Sequence, residues 1–504
     1  MSKAYFHHIT DEAQTQGGTS GGEKLFAMER RVAEELKSIV GKRNALLTPE
    51  EILVYESDGV SLVKGRAEAV LLPGTAGEVA AIVRLACANK IPYVARGAGT
   101  GLSGGCSATE GGWVISTARL NRILEIDVEN RAARVQPGVV NAALSEALEP
   151  LGYHFAPDPS SQAACTVGGN FAENSGGPHC LKYGMTLPHI LGAEMVLPDG
   201  DLVRFGGKAP GTTGCDILGL LVGSEGTLGI ATELIVRLTP IPEAIRTFLA
   251  PFTSVEKASD AVSAIIAAGV VPASLEMLDK LTMRAVGEFI HAAYPEEAEA
   301  VLLLEVDGPE ARVEEESRLL KSLCLECGAL SLEEAREKEH RQKLWKGRKS
   351  AFGALGRVSH DFFVMDGVVP RSRLPAVMKR VQEVSAKYNL PIANVFHAGD
   401  GNLHPNILFD IRDKSVIPNV LLAGEEILRE CVALGGAISG EHGIGVEKQN
   451  LMPLMFTEED LEAMAKLRDA FNPDHLCNPG KVFPTGKSCG EVPSGNYLSV
   501  ASWI

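Results

Sequence analysis

The chain has 504 residues, too many for one hydrophobic core, so it divides into two or three domains. Its 45% hydrophobic and 22% charged residues describe an ordinary globular protein, and a formal net charge of -16 argues against a nucleic-acid surface and against electrostatic attachment to an anionic membrane. Any attraction of a small anion must come from one or two local cations.

Residues 1–22 are rich in Gln, Thr, Gly and Ser and read as a flexible arm without a signal-peptide core. Residues 23–41 form an amphipathic helix ending at Gly41. From Ala69 a strand, a helix with Thr75 and Glu78 spaced as a capping box, and a second strand deliver the chain into "GAGTGLSGG". Short strands follow at "WVIST", "ILEID" and "AARVQPG". "NAALSEALEPLG" is a helix with Asn141 as its N-cap. "ILGAEMVLPDGDLVRFGG" is a hairpin turned at Asp199–Gly200, "DILGLLVG" is helical, and "LGIATELIVRLTP" is a long strand. Pro240 and Pro242 mark a boundary. Beyond it strands and helices alternate with antiparallel pairings, including "SLEMLD", "AVLLLEVDG", "FFVMDGVVP" as one strand, and "NVFHAGDGNLHPNILFD" as paired strands. A last helix runs from Thr457 to Asn472–Pro473.

Gly99, Gly101 and Gly104 match a dinucleotide fingerprint. No helical pattern begins inside the motif, so the nicotinamide reading is rejected. A loop carrying Gly97, Gly99, Gly101, Gly104 and Gly105 can still wrap a phosphate with backbone N–H groups. Three more glycine-bearing segments, 157–177, 182–184 and 223–230, have the composition of walls around a large polar and aromatic cofactor.

"YVARGAGTGLSGG", "PDPSS", "TVGGNFAENSGGPHCLKYG" and "GSEGTLGI", in this order, resemble the FAD-binding domain of the vanillyl-alcohol-oxidase (PCMH-type) flavoproteins. Within them the chain closely resembles FAD-binding subunits of the glycolate oxidase type and D-lactate and D-2-hydroxyglutarate dehydrogenases, over residues 51–484. The resemblance implies an α+β fold: a two-part PCMH-type FAD-binding domain with its N-terminal helix (23–242), a ferredoxin-like α+β substrate domain (243–440), a C-terminal helical return near the FAD (441–485) and a tail (486–504). It implies that Arg96, Gly97, Ala98, Gly99, Thr100, Gly101, Leu102 and Ser103 hold the pyrophosphate. Pro157, Asp158, Ser160, Ser161, Thr166, Gly168, Gly169, Asn170, Gly176 and Gly177 line the flavin and its ribityl chain, and Glu225, Gly226 and Ile230 meet the nucleotide end. Thr100 stands where some members carry a flavin-linking histidine, so noncovalent FAD is expected. His179 is read as structural.

If Asp400–Gly401 is a two-residue hairpin turn, His397 faces His404 across the strands, as a metal pair requires. Glu441 in "SGEHGIGVEK" can complete a His–His–carboxylate set with an open position, and the neighbouring glycines let the backbone bend so that His442 serves the same pocket. The resemblance assigns His397, His404 and Glu441 to a divalent metal (Zn, Mn or Fe), His442 to the base, Arg348 to the substrate carboxylate and Asn406 to a place beside the substrate.

The expected activity is oxidation of glycolate or D-lactate to the 2-oxo acid, with hydride passing to the flavin. A D-2-hydroxyglutarate-type dehydrogenase, an oxidase of another alcohol on the same scaffold and a non-catalytic binding subunit are the alternatives. Of the 10 cysteines only Cys324 and Cys327 form a C-x-x-C, which cannot supply an iron–sulfur cluster. Electrons are therefore expected to leave to an outside acceptor, an iron–sulfur subunit or a quinone. No apolar stretch is long enough to span a membrane, so a cytoplasmic protein, docked to a membrane only through a partner, is expected.

Overall fold

The computed structural model describes residues 28–60, 62–209, 211 and 214–484. The expected N-terminal arm, 1–22, and C-terminal tail, 486–504, lie outside the described residues.

The helix Arg30–Val40 buries Val32, Leu36 and Val40, spaced for one face, and stops at Gly41. These residues join the core of a four-stranded sheet. There Trp113–Ser116 lies between Ala69–Leu71 and Tyr93–Arg96, parallel to both. The helix Ala76–Asn89 supplies the crossover, and the Thr75 hydroxyl accepts from the Glu78 N–H at 3.1 Å. The Glu78 carboxylate returns to the Gly74 N–H rather than to that of Thr75, so the box is opened by one residue.

A five-stranded antiparallel sheet follows, with Ile230–Arg237 at its centre between Ala132–Val135 and Ile190–Val196. The helix Asn141–Leu148 has Val140, not Asn141, at its N-cap. The Asn141 amide instead donates to the Pro157 carbonyl at 2.8 Å and to Asn170 Oδ1 at 3.1 Å, tying two glycine-bearing segments together. No helix begins between Gly97 and Gly112, whereas the rejected dinucleotide reading requires one.

The C-terminal half is built on a large antiparallel sheet in which Ala300–Gly308 pairs with Ala244–Phe252 and Ser274–Asp279, and the latter with Ile392–His397. Alternate residues of these strands face two apolar layers. One is covered by the helices Val255–Ala267, Glu310–Glu326, Leu374–Tyr388 and Ile417–Ala433. The other is covered by Lys280–Ile290 and Ala351–Val358. The predicted single strand "FFVMDGVVP" is two, Asp361–Val364 and Gly367–Val368, broken at the fully buried Asp366.

The two histidines do not pair directly. His397 pairs with Asn402, so the connection is Ala398–Gly401 rather than a two-residue turn. The expected register is wrong by two residues. A shift of two preserves the face of every side chain, whereas a shift of one would have reversed it. His404 therefore sits diagonally from His397 on the same face, with ring centroids 5.1 Å apart at an interplanar angle of 88°.

The last helix, Glu458–Phe471, carries a complete capping box from Thr457 and Asp460. Beyond it the chain returns to the N-terminal half: Cys477 bridges to Tyr93, and Asn478 Nδ2 donates to the Gly105 and Glu225 carbonyls at 3.0 and 2.6 Å. Among the described residues no helix is long and apolar enough to cross a membrane.

Candidate active site

A cavity of 420 Å³ lies between the halves. Its N-terminal walls include residues 96–102, Ser160, Ser161, Thr166, Gly168, Gly169, Asn170, Glu225, Gly226 and Ile230, all expected cofactor positions. Its C-terminal wall is Phe352, Phe362, Val364, His404, Glu441 and His442.

The glycines are required by close approach. A Cβ on Gly97 would stand 2.5 Å from Thr166 Oγ1. At Gly99, with φ +72°, a Cβ would collide with the Arg96 guanidinium. That guanidinium donates to the Ser57 carbonyl at 2.8 Å and to the Tyr55 carbonyl at 3.4 Å, so it braces the loop from behind. No histidine lies in residues 96–106.

Several expected cofactor positions stand behind the wall. Ser103 is fully buried and its carbonyl accepts from the Val446 N–H at 2.9 Å. The Pro157 carbonyl is taken by Asn141. Asp158 is bound to His179 Nδ1 at 2.6 Å, and Gly176 and Gly177 pack against Glu441 and Asp158. The Glu225 side chain does not point along the cavity: its two oxygens accept from the Ile444 and Gly445 N–H groups at 2.7 and 2.6 Å. Asp58, Cys106, Glu173 and the Phe352–Phe362 pair, on the wall, were not singled out from sequence.

His179 bridges the halves, its Nε2 reaching Glu305 Oε1 at 3.3 Å. Burial alone would push its pKa down, but Asp158 and Glu305 hold it well above the ordinary value.

At the C-terminal wall, Glu441 Oε1 stands 2.9 Å from His404 Nε2 and 3.3 Å from His397 Nε2. Ligand atoms of the three residues all lie within 4.8 Å of one another. Glu276, buried in the strand Ser274–Asp279, accepts from His397 Nδ1 at 2.6 Å. That orients the ring and keeps a proton on Nδ1, so Nε2, facing Glu441, is the atom free to bind a cation once its own proton is lost. Burial would lower the His397 pKa, but Glu276 and Glu441 hold it well above the ordinary value. His404 Nδ1 is buried without a partner. The donor set fits a divalent cation. Burial would raise the Glu441 pKa, but His397 and His404 hold it well below the usual range.

His442 stacks on His404 at 5.0 Å, and its Nδ1 is buried with no partner. Burial pushes its pKa down to about 4, so the ring is neutral near neutral pH. Arg348 is buried and does not reach the cavity wall. Its Nε donates to Glu276 Oε2 at 2.6 Å, while Nη2 is unpartnered. Asn406 is likewise behind the wall, where its amide donates to the His404 carbonyl at 2.7 Å and the Ala393 carbonyl at 3.2 Å.

Residues 67–206 match the family described as "FAD binding domain", and 241–482 match "FAD linked oxidases, C-terminal domain". The glycolate oxidase subunit GlcD of Escherichia coli (strain K12) is 47% identical over 446 residues, covering 88% of this chain and 89% of that protein. The chain belongs to the FAD-linked oxidases. GlcD of Bacillus subtilis is 41% identical over 453 residues, covering 90% and 96% of the two chains, and a D-lactate dehydrogenase of Archaeoglobus fulgidus is 35% identical over 417, covering 82% and 90%. p-Cresol methylhydroxylase superposes with a TM-score of 0.74 at 16% identity, covering 90% of this chain and 96% of that one. A 4-ethylphenol oxidase from Gulosibacter chungangensis gives 0.73 at 19%, covering 90% and 97%. These two show that this FAD-linked oxidase has the PCMH-type α+β fold, and FAD is the cofactor its glycine-walled cavity is built for.

Proposed function

We propose that this protein oxidises a small 2-hydroxy acid, glycolate or D-lactate, to the 2-oxo acid and passes the electrons to an outside acceptor. The observation that carries the reading is the shared cavity: His404, Glu441 and His442 open onto the same space as the FAD loops. The relatives named as glycolate oxidase subunits and D-lactate dehydrogenases support it.

Bound FAD supplies a hydride acceptor. A divalent cation held by His397, His404 and Glu441 would supply a Lewis acid for the substrate hydroxyl. The other work belongs to the protein. His442, neutral and with an unpartnered Nδ1, accepts the hydroxyl proton. Arg348 stands behind the wall with one unspent donor, Nη2, which meets a substrate carboxylate only if the side chain swings away from Glu276, and Asn406 holds the strand that presents His404. Phe352, Phe362 and Val364 close the substrate end. The one cation lining the cavity among the described residues, Arg96, is turned toward Tyr55 and Ser57.

The Cys324–Cys327 pair sits at the end of one helix and cannot hold an iron–sulfur cluster. An iron–sulfur subunit or a quinone is the acceptor this implies, in keeping with relatives that are named as subunits. The test is anaerobic mixing of the FAD-loaded protein with D- and L-2-hydroxy acids. Glycolate or D-lactate should bleach the flavin within one turnover. Bleaching only by 2-hydroxyglutarate, or by no hydroxy acid, rejects the reading.

A further inference from the structure

The segment Ser439–Gly445 carries both Glu441 and His442 into the cavity, although neighbours on a regular strand point to opposite faces. Two carboxylates remote in sequence take up its backbone. Asp366 Oδ2 accepts from the N–H groups of Gly440 at 3.1 Å and His442 at 2.9 Å, and from the Ser439 hydroxyl at 2.6 Å. Its Oδ1 accepts from the Glu441 N–H at 3.2 Å. Glu225, in the glycine segment on the FAD side, accepts from the Ile444 and Gly445 N–H groups at 2.7 and 2.6 Å.

The support is built and buried. Asp366 and Lys448 are both fully buried, and Lys448 Nζ reaches Asp366 Oδ2 and the Gly443 carbonyl, each at 3.2 Å. Glu225 itself is held in a left-handed backbone conformation, φ +51°, which a side-chain-bearing residue rarely adopts. Asp366 also lies within ligand distance of His404 and His442. Its Oδ2 is already committed to four N–H or O–H donors, the Glu441 N–H at 3.3 Å among them, and an ammonium, so it holds the segment rather than a cation.

We propose that Asp366 and Glu225 are positioning residues that shape Ser439–Gly445 from the two halves of the chain, so that the FAD segment and the base, His442, are mechanically coupled. The role in turnover rests on the proposed 2-hydroxy acid oxidation; the coupling does not. A neutral amide has one acceptor oxygen and cannot replace a carboxylate that receives this many donors.

The test compares FAD-loaded wild type, Asp366→Asn, Asp366→Glu, Glu225→Gln and the milder Ser439→Ala. Amide hydrogen exchange is followed at residues 440–445, with and without FAD. Flavin reduction is followed anaerobically over a range of D-lactate and glycolate concentrations. Exchange should quicken at 440–442 in Asp366→Asn and at 444–445 in Glu225→Gln, and each substitution should also loosen the other's stretch. Removing FAD from wild type should loosen 444–445. The limiting reduction rate should fall about 10- to 100-fold, the usual effect of losing an outer-shell partner, with little change in half-saturating concentration. Asp366→Glu should recover part of it. Unchanged exchange, or quickened exchange with an unchanged limiting rate, overturns the proposal. If Asp366→Asn does not fold, Ser439→Ala carries the same readouts in smaller measure. If no hydroxy acid reduces the wild-type flavin, the functional reading fails, while the exchange data still decide the coupling.

Discussion

His397 Nδ1 and Glu276 Oε1 stand 2.6 Å apart, with both side chains buried. The second oxygen of Glu276 receives Arg348 Nε at the same distance, so one carboxylate neutralises both a cation and a proposed metal ligand. Burial would raise its pKa, but His397 and Arg348 bring it below the ordinary value. Glu276→Gln leaves a guanidinium buried without its counter-charge. Stability should fall by about 3–5 kcal/mol in denaturant titration, and affinity for Zn²⁺ by about 10- to 100-fold in a competition titration.

His442→Ala should leave FAD in place, because the imidazole is one small part of the cavity wall. The rate of flavin reduction by glycolate or D-lactate should fall by about 10²- to 10⁴-fold in anaerobic stopped flow, the usual contribution of a general base. An undiminished rate would mean that another group takes the proton.

Glu447 offers a signed pH effect. Both its oxygens lack hydrogen-bond partners, and burial pushes its pKa from 4.5 up to about 7, with Lys448 opposing. The folded chain thus keeps a proton that the unfolded chain has released. Stability falls as pH rises between these values and is unaffected by this group below the lower one. Glu447→Gln removes the ionisation. It should melt with wild type near the lower pH and be more stable above the higher, by up to about 3 kcal/mol. A variant less stable than wild type in alkali would contradict this.

Gly99→Ala should abolish FAD retention without unfolding the apoprotein. Its left-handed backbone costs a residue with a Cβ about 1–2 kcal/mol, and the added methyl displaces the Arg96 brace. Gly207→Ala, with open space around it, is the control. The ratio of flavin to protein absorbance after gel filtration reads the result.

Local elements were legible where one period dominates. The helices Arg30–Val40 and Glu458–Phe471 and the central strands follow from apolar spacing and capping residues. The histidine pair was legible for a reason weaker than register: a parity argument tolerates an error of two. Asn141 was misplaced because a residue that favours caps also bridges loops, and only tertiary contacts choose between the uses. Glu276 and Asp366 sit as lone acids inside apolar runs, a visible irregularity, but their partners are 72 and 76 residues away in the chain. Arg348 was found, while the carboxylate that turns it from the cavity could not be read from spacing.

The return of residues 472–482 also constrains biogenesis. Asn478 and Lys481 donate to the carbonyls of Gly105 and Ser107, so the glycine loop is backed by chain made more than 350 residues later. During synthesis the first half emerges with an unfinished nucleotide cradle. Flavin loading is thereby tied to the emergence of residues 472–482, and a polypeptide interrupted before this stretch would be released colourless even if each sheet had already formed.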